Sequence, residues 1–192
     1  MADVLVGIDE AGMGTLAGPL TAAIVVIEPS RVPVGVRDSK KLKEEQREEL
    51  AALIMDAAQF YRVIAVSPEE IDRDGLSISW RWAIRGVALA AHIVCNHKIG
   101  EEEYILDGNR LVGLPYVKPV VKADDKYPAV SAASILAKYT QCCWMDDYHK
   151  EFPEYGFDQH RGYPTANHLQ RLKELGPCPI HRKSFKPVKK VL

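Results

Sequence analysis

The chain has 192 residues, 47% hydrophobic and 27% charged, an ordinary globular composition that suits one domain with an ample core. Its 25 basic and 26 acidic residues leave a net charge of −1, so charge alone argues for no particular partner. No apolar run approaches the roughly 18–20 residues of a membrane span and no signal peptide is recognisable, which makes a cytoplasmic protein the expectation. Cys95, Cys142, Cys143 and Cys178 show no C-x-x-C spacing, so reduced thiols are expected.

The first stretch, Val4–Leu20, reads VLVGIDEAGMGTLAGPL. Its apolar run predicts a buried strand that ends on two adjacent carboxylates, Asp9 and Glu10, with Gly12, Gly14 and Gly18 following. Charges at the end of a buried strand are costly or shift their pKa unless a cation or donors compensate them. Standing alone, the pair reads most simply as a solvated acidic corner. The spacing Gly12-x-Gly14-x-x-x-Gly18 is one residue off a dinucleotide fingerprint, and the two acids would repel a pyrophosphate. A divalent metal beside a phosphate would account for the acids and the glycines together.

Next, Leu20–Ile27 is β-branched and apolar, a second strand that should form an antiparallel hairpin with the first through a turn at Leu16–Pro19. Leu50, Leu53, Ile54 and Ala57 lie at helical spacing in 43–58, and Phe60–Val66 alternates as a strand. Ser67-Pro68-Glu69-Glu70 is a helix N-terminus, leading to a short turn over Ile71–Gly75. The segment 76–97 predicts a long core helix whose apolar face holds Trp80, Ala83, Ile84, Val87, Leu89, Ala91, Ile93 and Val94. Strands are expected at Tyr104–Asp107 and 117–122, then a second core helix at 127–149. The Gly-, Pro- and aromatic-rich segment 152–164 reads as a loop of functional rather than structural character. A helix over Ala166–Leu175, stopped by Gly176, precedes a tail with five basic residues from Arg182 to Lys190, a candidate phosphate contact. The order of elements predicts an α/β fold, a mixed sheet with helices on its faces.

Asp9, Glu10, Asp107 and Asp124 all sit at or just beyond predicted strand ends. Each alone reads as a cap or turn residue. Together, with no His or Cys partner, convergent carboxylates suit hard cations such as Mg²⁺ or Mn²⁺, and two metals about 4 Å apart can drive phosphodiester cleavage.

At this point the residues resemble a family. GIDEAG (7–12), LAGP (16–19), DSKKL (38–42), LDGNR (106–110), KAD (122–124), YPAVSAASILAK (127–138), YGFDQHRGYPT (155–165) and HRKSFKPVKK (181–190) resemble bacterial-type ribonuclease HII along nearly the whole chain. The resemblance implies an RNase H-like mixed β-sheet flanked by helices (1–150), with a C-terminal loop, helix and basic tail (151–192) in the same compact unit. It implies a metal-dependent endonuclease that cuts RNA in RNA–DNA duplexes, including single ribonucleotides in DNA, and leaves 3′-hydroxyl and 5′-phosphate ends. Asp9, Glu10, Asp107 and Asp124 are then the catalytic, metal-binding acids for two Mg²⁺ or Mn²⁺ ions. Gly12, Met13 and Gly14 form the loop that senses the ribose 2′-hydroxyl, Lys40 and Lys41 contact phosphates, and Tyr163 packs on the sugar. A monomer is expected, with no membrane association. His160 and His168 are read as structural histidines, and Asp125 as a solvated neighbour.

Two departures stand out. The loop that resembles Gly-Arg-Gly-Pro in the family reads Gly12-Met13-Gly14-Thr15 here, so a guanidinium able to hold a phosphate is missing while the backbone groups remain. Thr140-Gln141-Cys142 stands where the family commonly has Thr-Arg-Asp, at a position outside the four acids. The expectation is retained activity with altered junction selectivity. The alternatives are a nucleic-acid-binding homologue impaired in cleavage, or an enzyme shifted toward long hybrids.

Overall fold

The computed structural model describes residues 4–95 and 104–192, the Lys40 side chain excepted. The elements in chain order are β1 (Leu5–Ala11), β2 (Leu20–Ile27), α1 (Glu44–Ala57), β3 (Phe60–Val66), α2 (Pro68–Asp74) and α3 (Leu76–Cys95). They continue with β4 (Tyr104–Asp107), β5 (Val117–Val120), α4 (Pro128–Glu151), α5 (Phe157–His160), α6 (Ala166–Leu175) and α7 (Lys186–Lys189). The five strands form one sheet in the order β3-β2-β1-β4-β5, with β1 at its centre. β1 pairs antiparallel with β2 and parallel with β4, and β4 pairs parallel with β5. The expected hairpin and mixed sheet are both present.

Helices cover both faces, as the continuous burial of β2 requires: all eight of its residues are buried. Alternate residues of β1 and β2 divide between two cores. Val6, Ile8, Ala22 and Ile24 pack under α3 through Trp80, Ala83, Ile84 and Val87. Ala11, Ala23, Val25 and Ile27 face α1 and α4 through Leu50, Ile54, Ala132, Ala133 and Leu136. The many alanines and serines at the start of α4 let its backbone come down onto β1. A Cβ on Gly7 would lie 2.2 Å from the carbonyl carbon of Ala129, so only glycine permits this approach.

Several boundaries and faces differ from the sequence expectations. β1 runs one residue past the acids, to Ala11, instead of ending on them, because β2 pairs with it as far as Ala11↔Thr21. β5 stops at Val120, since Lys122 takes a left-handed conformation (φ 56°) that turns the chain into a 3₁₀ turn at Ala123–Asp125. On α3 the core face is narrower than expected: Leu89, Ile93 and Val94 are exposed, while Trp80, Ala83, Ile84, Val87 and Ala91 are buried. The last predicted residues of that helix, Asn96 and His97, lie outside the described residues.

The segment 152–164 is a larger correction. It contains a 3₁₀ turn (Pro153–Tyr155) and α5, and its aromatics Tyr155 and Phe157 are buried against Ala17, Met145, Cys178 and Ile180. Its aromatic residues are therefore largely core, and Tyr163 is the aromatic of this segment that is exposed. The tail differs too. Arg182 is fully buried and Val188 packs with Leu16 and Leu172, while Lys183, Lys186, Lys189 and Lys190 stay exposed.

Candidate metal centre and substrate-facing loop

The parallel register decides which acids meet. Ile8 lies beside Leu106, so one residue further Asp9 stands beside Asp107 at the carboxyl ends of β1 and β4. Asp124 reaches the same place from the 3₁₀ turn after β5. That turn is tied to β4 because Asp107 Oδ1 accepts the Ala123 N–H at 2.7 Å, and to α4 because Ser131 Oγ donates to the Asp124 carbonyl at 2.5 Å. Asp9, Asp107 and Asp124 each offer a carboxylate oxygen, and these oxygens lie within 4.8 Å of one another.

Asp9 is only 7% exposed, and Asp124 9%. Burial first, then the negative charge of Glu10, opposes ionisation of Asp9 and raises its pKa well above the ordinary carboxylate value. Asp107 and Asp124 push the same way, while the Glu10 N–H, donating to Asp9 Oδ1 at 2.7 Å, pushes back. A cation among these oxygens would reverse the balance. An all-oxygen, partly buried donor set fits Mg²⁺ or Mn²⁺ and not a softer metal.

Glu10 stands apart from that trio. Successive residues of a strand face opposite sides, so Glu10 points to the α3 side, where it lines a cleft of ≈ 260 Å³ with Met13, Trp80, Asp107, Asn109 and Arg110. The Arg110 guanidinium lies over the Trp80 ring, 5.5 Å from its centre.

The glycine loop is built from behind by the C-terminal residues. Gly12 has φ +83°, and a Cβ there would fall 2.5 Å from the Pro19 carbonyl oxygen. Gly18 N–H donates to Ile180 O, Arg182 N–H to Leu16 O, and Leu16 N–H to Gly162 O. The buried Arg182 side chain completes the brace: Nε and Nη2 donate to Gly18 O at 3.1 and 3.0 Å, and Nη1 to Met13 O at 3.4 Å. Burial lowers its pKa to about 10, which leaves it charged at neutral pH. Met13 itself is half-buried, packed on the α3-side core. Gly14 is exposed at the tip.

Tyr163 is 38% exposed, with the Lys138 ammonium 5.0 Å from its ring centre. Lys138 also donates to Gln141 Oε1, and the Gln141 amide donates to Arg161 O, so α4 grips the Tyr163 loop from below. Lys41 pairs with Asp125 at 2.5 Å, which shows that Asp125 is an ion-pair partner and not merely solvated. The Lys40 side chain lies outside the described residues. Cys142 Sγ lies 4.0 Å from Arg47, whose other nitrogen donates to Ser39 O and Leu42 O, and all four cysteines are free.

The family model for ribonuclease HII matches residues 6–188. The chain belongs to the ribonuclease HII family. A ribonuclease HII from Janthinobacterium sp. is 43% identical over 99% of this chain and 88% of its own length. Among solved structures, ribonuclease H2 of Pyrococcus horikoshii superposes with a TM-score of 0.78 at 28% identity, covering 98% of this chain and 97% of that one. RNase HII of Archaeoglobus fulgidus, solved with PCNA, gives 0.76 at 31% identity over 96% of both chains. Membership of the family makes the protein an endoribonuclease of the ribonuclease H class, and the sheet described above is the RNase H-like fold.

Sequence alone does not mark Arg182, Lys138 or His181, which the fold places behind the glycine loop and Tyr163. Arg182 was read with the basic tail because a run of cations gives no sign of which one turns inward. The one available signal was HRKSF itself, an apolar Phe interrupting the charges.

Proposed function

We propose that this ribonuclease HII family member cuts RNA strands paired to DNA, including single ribonucleotides embedded in a DNA duplex, and leaves 3′-hydroxyl and 5′-phosphate ends. The observation that carries the reading is the trio Asp9, Asp107 and Asp124, with oxygens within 4.8 Å of one another beside a glycine loop and an outward tyrosine. Asp9, Asp107 and Asp124 would hold the divalent ions, Mg²⁺ or Mn²⁺, with Glu10 completing the set from the cleft side. Ions bound there would polarise the attacking water and offset charge on the leaving 3′-oxygen.

The chain's own residues supply the rest. The backbone of Gly12, Met13 and Gly14, held by Arg182 from behind, presents fixed polar groups to a ribose 2′-hydroxyl. Tyr163 packs its ring on the neighbouring sugar, with Lys138 limiting its movement. Lys40 and Lys41 meet phosphates, and Asp125 holds Lys41 beside the site until a phosphate competes for it. The brace that residues 180–182 give the glycine loop supports reading 1–150 and 151–192 as one compact unit.

Cleavage of a duplex containing one ribonucleotide and of a continuous RNA–DNA hybrid, with Mg²⁺ or Mn²⁺, tests this reading. Wild-type protein should cut both, and Asp107→Asn neither. Failure of the wild type to cut, with binding retained, would identify a binding homologue. Cutting of the long hybrid alone would identify a shifted specificity.

A further inference from the structure

Behind Tyr163 lie two buried imidazoles that the catalytic reading does not use. His168, at the start of α6, is 0% exposed and His181 is 1% exposed. Their Nε2 atoms are 3.1 Å apart, so one must donate to the other. The direction follows from the ends of the pair. The Cys178 backbone N–H can only donate, and it points at His181 Nδ1 from 3.0 Å. His181 Nδ1 is therefore an acceptor and its proton sits on Nε2, aimed at His168. His168 then carries its own proton on Nδ1, which lies 2.9 Å from the carbonyl oxygen of Tyr163. A single directed chain runs from the Cys178 amide through both rings to the backbone of Tyr163. It requires both rings to be neutral, and burial lowers both pKa values to about 4.

The surroundings hold the relay in one orientation. His160 stacks on His168 with ring centres 4.2 Å apart and planes 10° apart. His160 is itself fixed, donating from Nε2 to Tyr155 O at 2.8 Å and accepting the Gly162 N–H at Nδ1. The Tyr163 carbonyl also takes the Thr165 N–H, and the Tyr163 N–H donates to His160 O. The same Cys178–Arg182 segment that carries His181 braces the glycine loop. One short stretch of chain thus connects the loop that would read the 2′-hydroxyl to the tyrosine that would pack on the sugar.

We propose that His168 and His181 are positioning residues for substrate selection, a neutral imidazole relay that holds Tyr163 at a set distance from the glycine loop. The inference rests on the substrate-packing role of Tyr163 given above. The relay acts through Tyr163 and touches neither the metal acids nor the reacting atoms. Its loss should weaken engagement of the ribonucleotide and leave the chemical step nearly intact.

The test is a double-mutant cycle on steady-state cleavage of a duplex carrying one ribonucleotide, using the full chain with Mg²⁺. His168→Leu keeps the volume and removes the relay, and KM should rise about tenfold, the equivalent of one hydrogen bond, with kcat within about twofold. His168→Asn puts an amide donor where Nδ1 was and should recover most of that loss. In a Tyr163→Ala background, His168→Leu should add less than about twofold, because its effect passes through the tyrosine already removed. Additive losses, or an Asn variant as impaired as Leu, would overturn the relay while the nuclease reading stands. A cutting wild type that is indifferent to Tyr163→Ala overturns it as well. A wild type that does not cut overturns both. Should His168→Leu fail to fold, His181→Gln and His181→Asn decide instead. Both are polar amides, but only Gln reaches His168, so equal KM values for the two would refute the relay.

Discussion

Asp9→Asn should make the metal-free protein more stable while abolishing its activity. The substitution keeps a side-chain oxygen to accept the Glu10 N–H and removes one charge from a partly buried trio. At separations of no more than 4.8 Å and an effective dielectric of about 20, each carboxylate pair costs about 3.5 kcal/mol or more. Asp9 faces two such partners, but it takes up a proton before the full penalty develops, so a gain of about 2–3 kcal/mol is expected. For a chain of this size that is a rise in Tm of about 4–12 °C. The pH dependence has a definite sign. The folded-state pKa of Asp9 is raised, so its contribution is fully present below the unfolded value of about 4 and is lost as pH rises through the folded one. Metal-free wild type should therefore lose stability over that window, and Asp9→Asn should lack this component. Thermal unfolding followed by circular dichroism, in EDTA and in millimolar Mg²⁺ or Mn²⁺, measures both effects. The cation should raise the wild-type Tm and move the variant much less. A lower Tm for Asp9→Asn in EDTA, or equal stabilisation of both proteins by the cation, would refute the electrostatic account of the site.

Other outcomes follow from single contacts. Arg182→Met leaves the Gly18 and Met13 carbonyls without their charged donor and should cost about 2–4 kcal/mol in urea unfolding; an unchanged midpoint would show that the brace is not needed. Gly7→Ala drives a Cβ into the backbone of α4, where neither strand nor helix can yield, and should destabilise by about 3 kcal/mol or more. Soluble expression with a wild-type Tm would contradict that packing. Met13→Arg should restore a phosphate contact and lower KM on a single-ribonucleotide duplex by about tenfold. No change in rate or in selectivity against long hybrids would remove position 13 from the substrate interface.

Much of this protein is legible in its sequence. Apolar runs of the right length marked the strands, helical spacing marked α1, α3 and α4, and the carboxylates at strand ends marked the place where chemistry could occur. Periodicity is a local property, and these are local features. The separate motifs, in order, also carried the family resemblance. What sequence could not reveal was which residues meet across the sheet. Parallel pairing of β1 with β4 puts Asp9 beside Asp107, while strand alternation turns Glu10 toward the opposite face, and neither the partner strand nor its register is written locally.

The C-terminal residues make the same point more sharply. A tail of four lysines and one arginine reads in sequence as a phosphate contact, yet Arg182 is buried because the loop carbonyls of Gly18 and Met13 replace the water it gives up. His168 and His181 looked like unrelated histidines thirteen residues apart, and only folding brings their Nε2 atoms to 3.1 Å. Sequence by itself determined most of the elements, put carboxylates at strand ends and carried the family resemblance. Tertiary structure decided which polar groups face one another, because a buried polar atom takes its role from the partner that replaces water, and that partner arrives from a distant part of the chain.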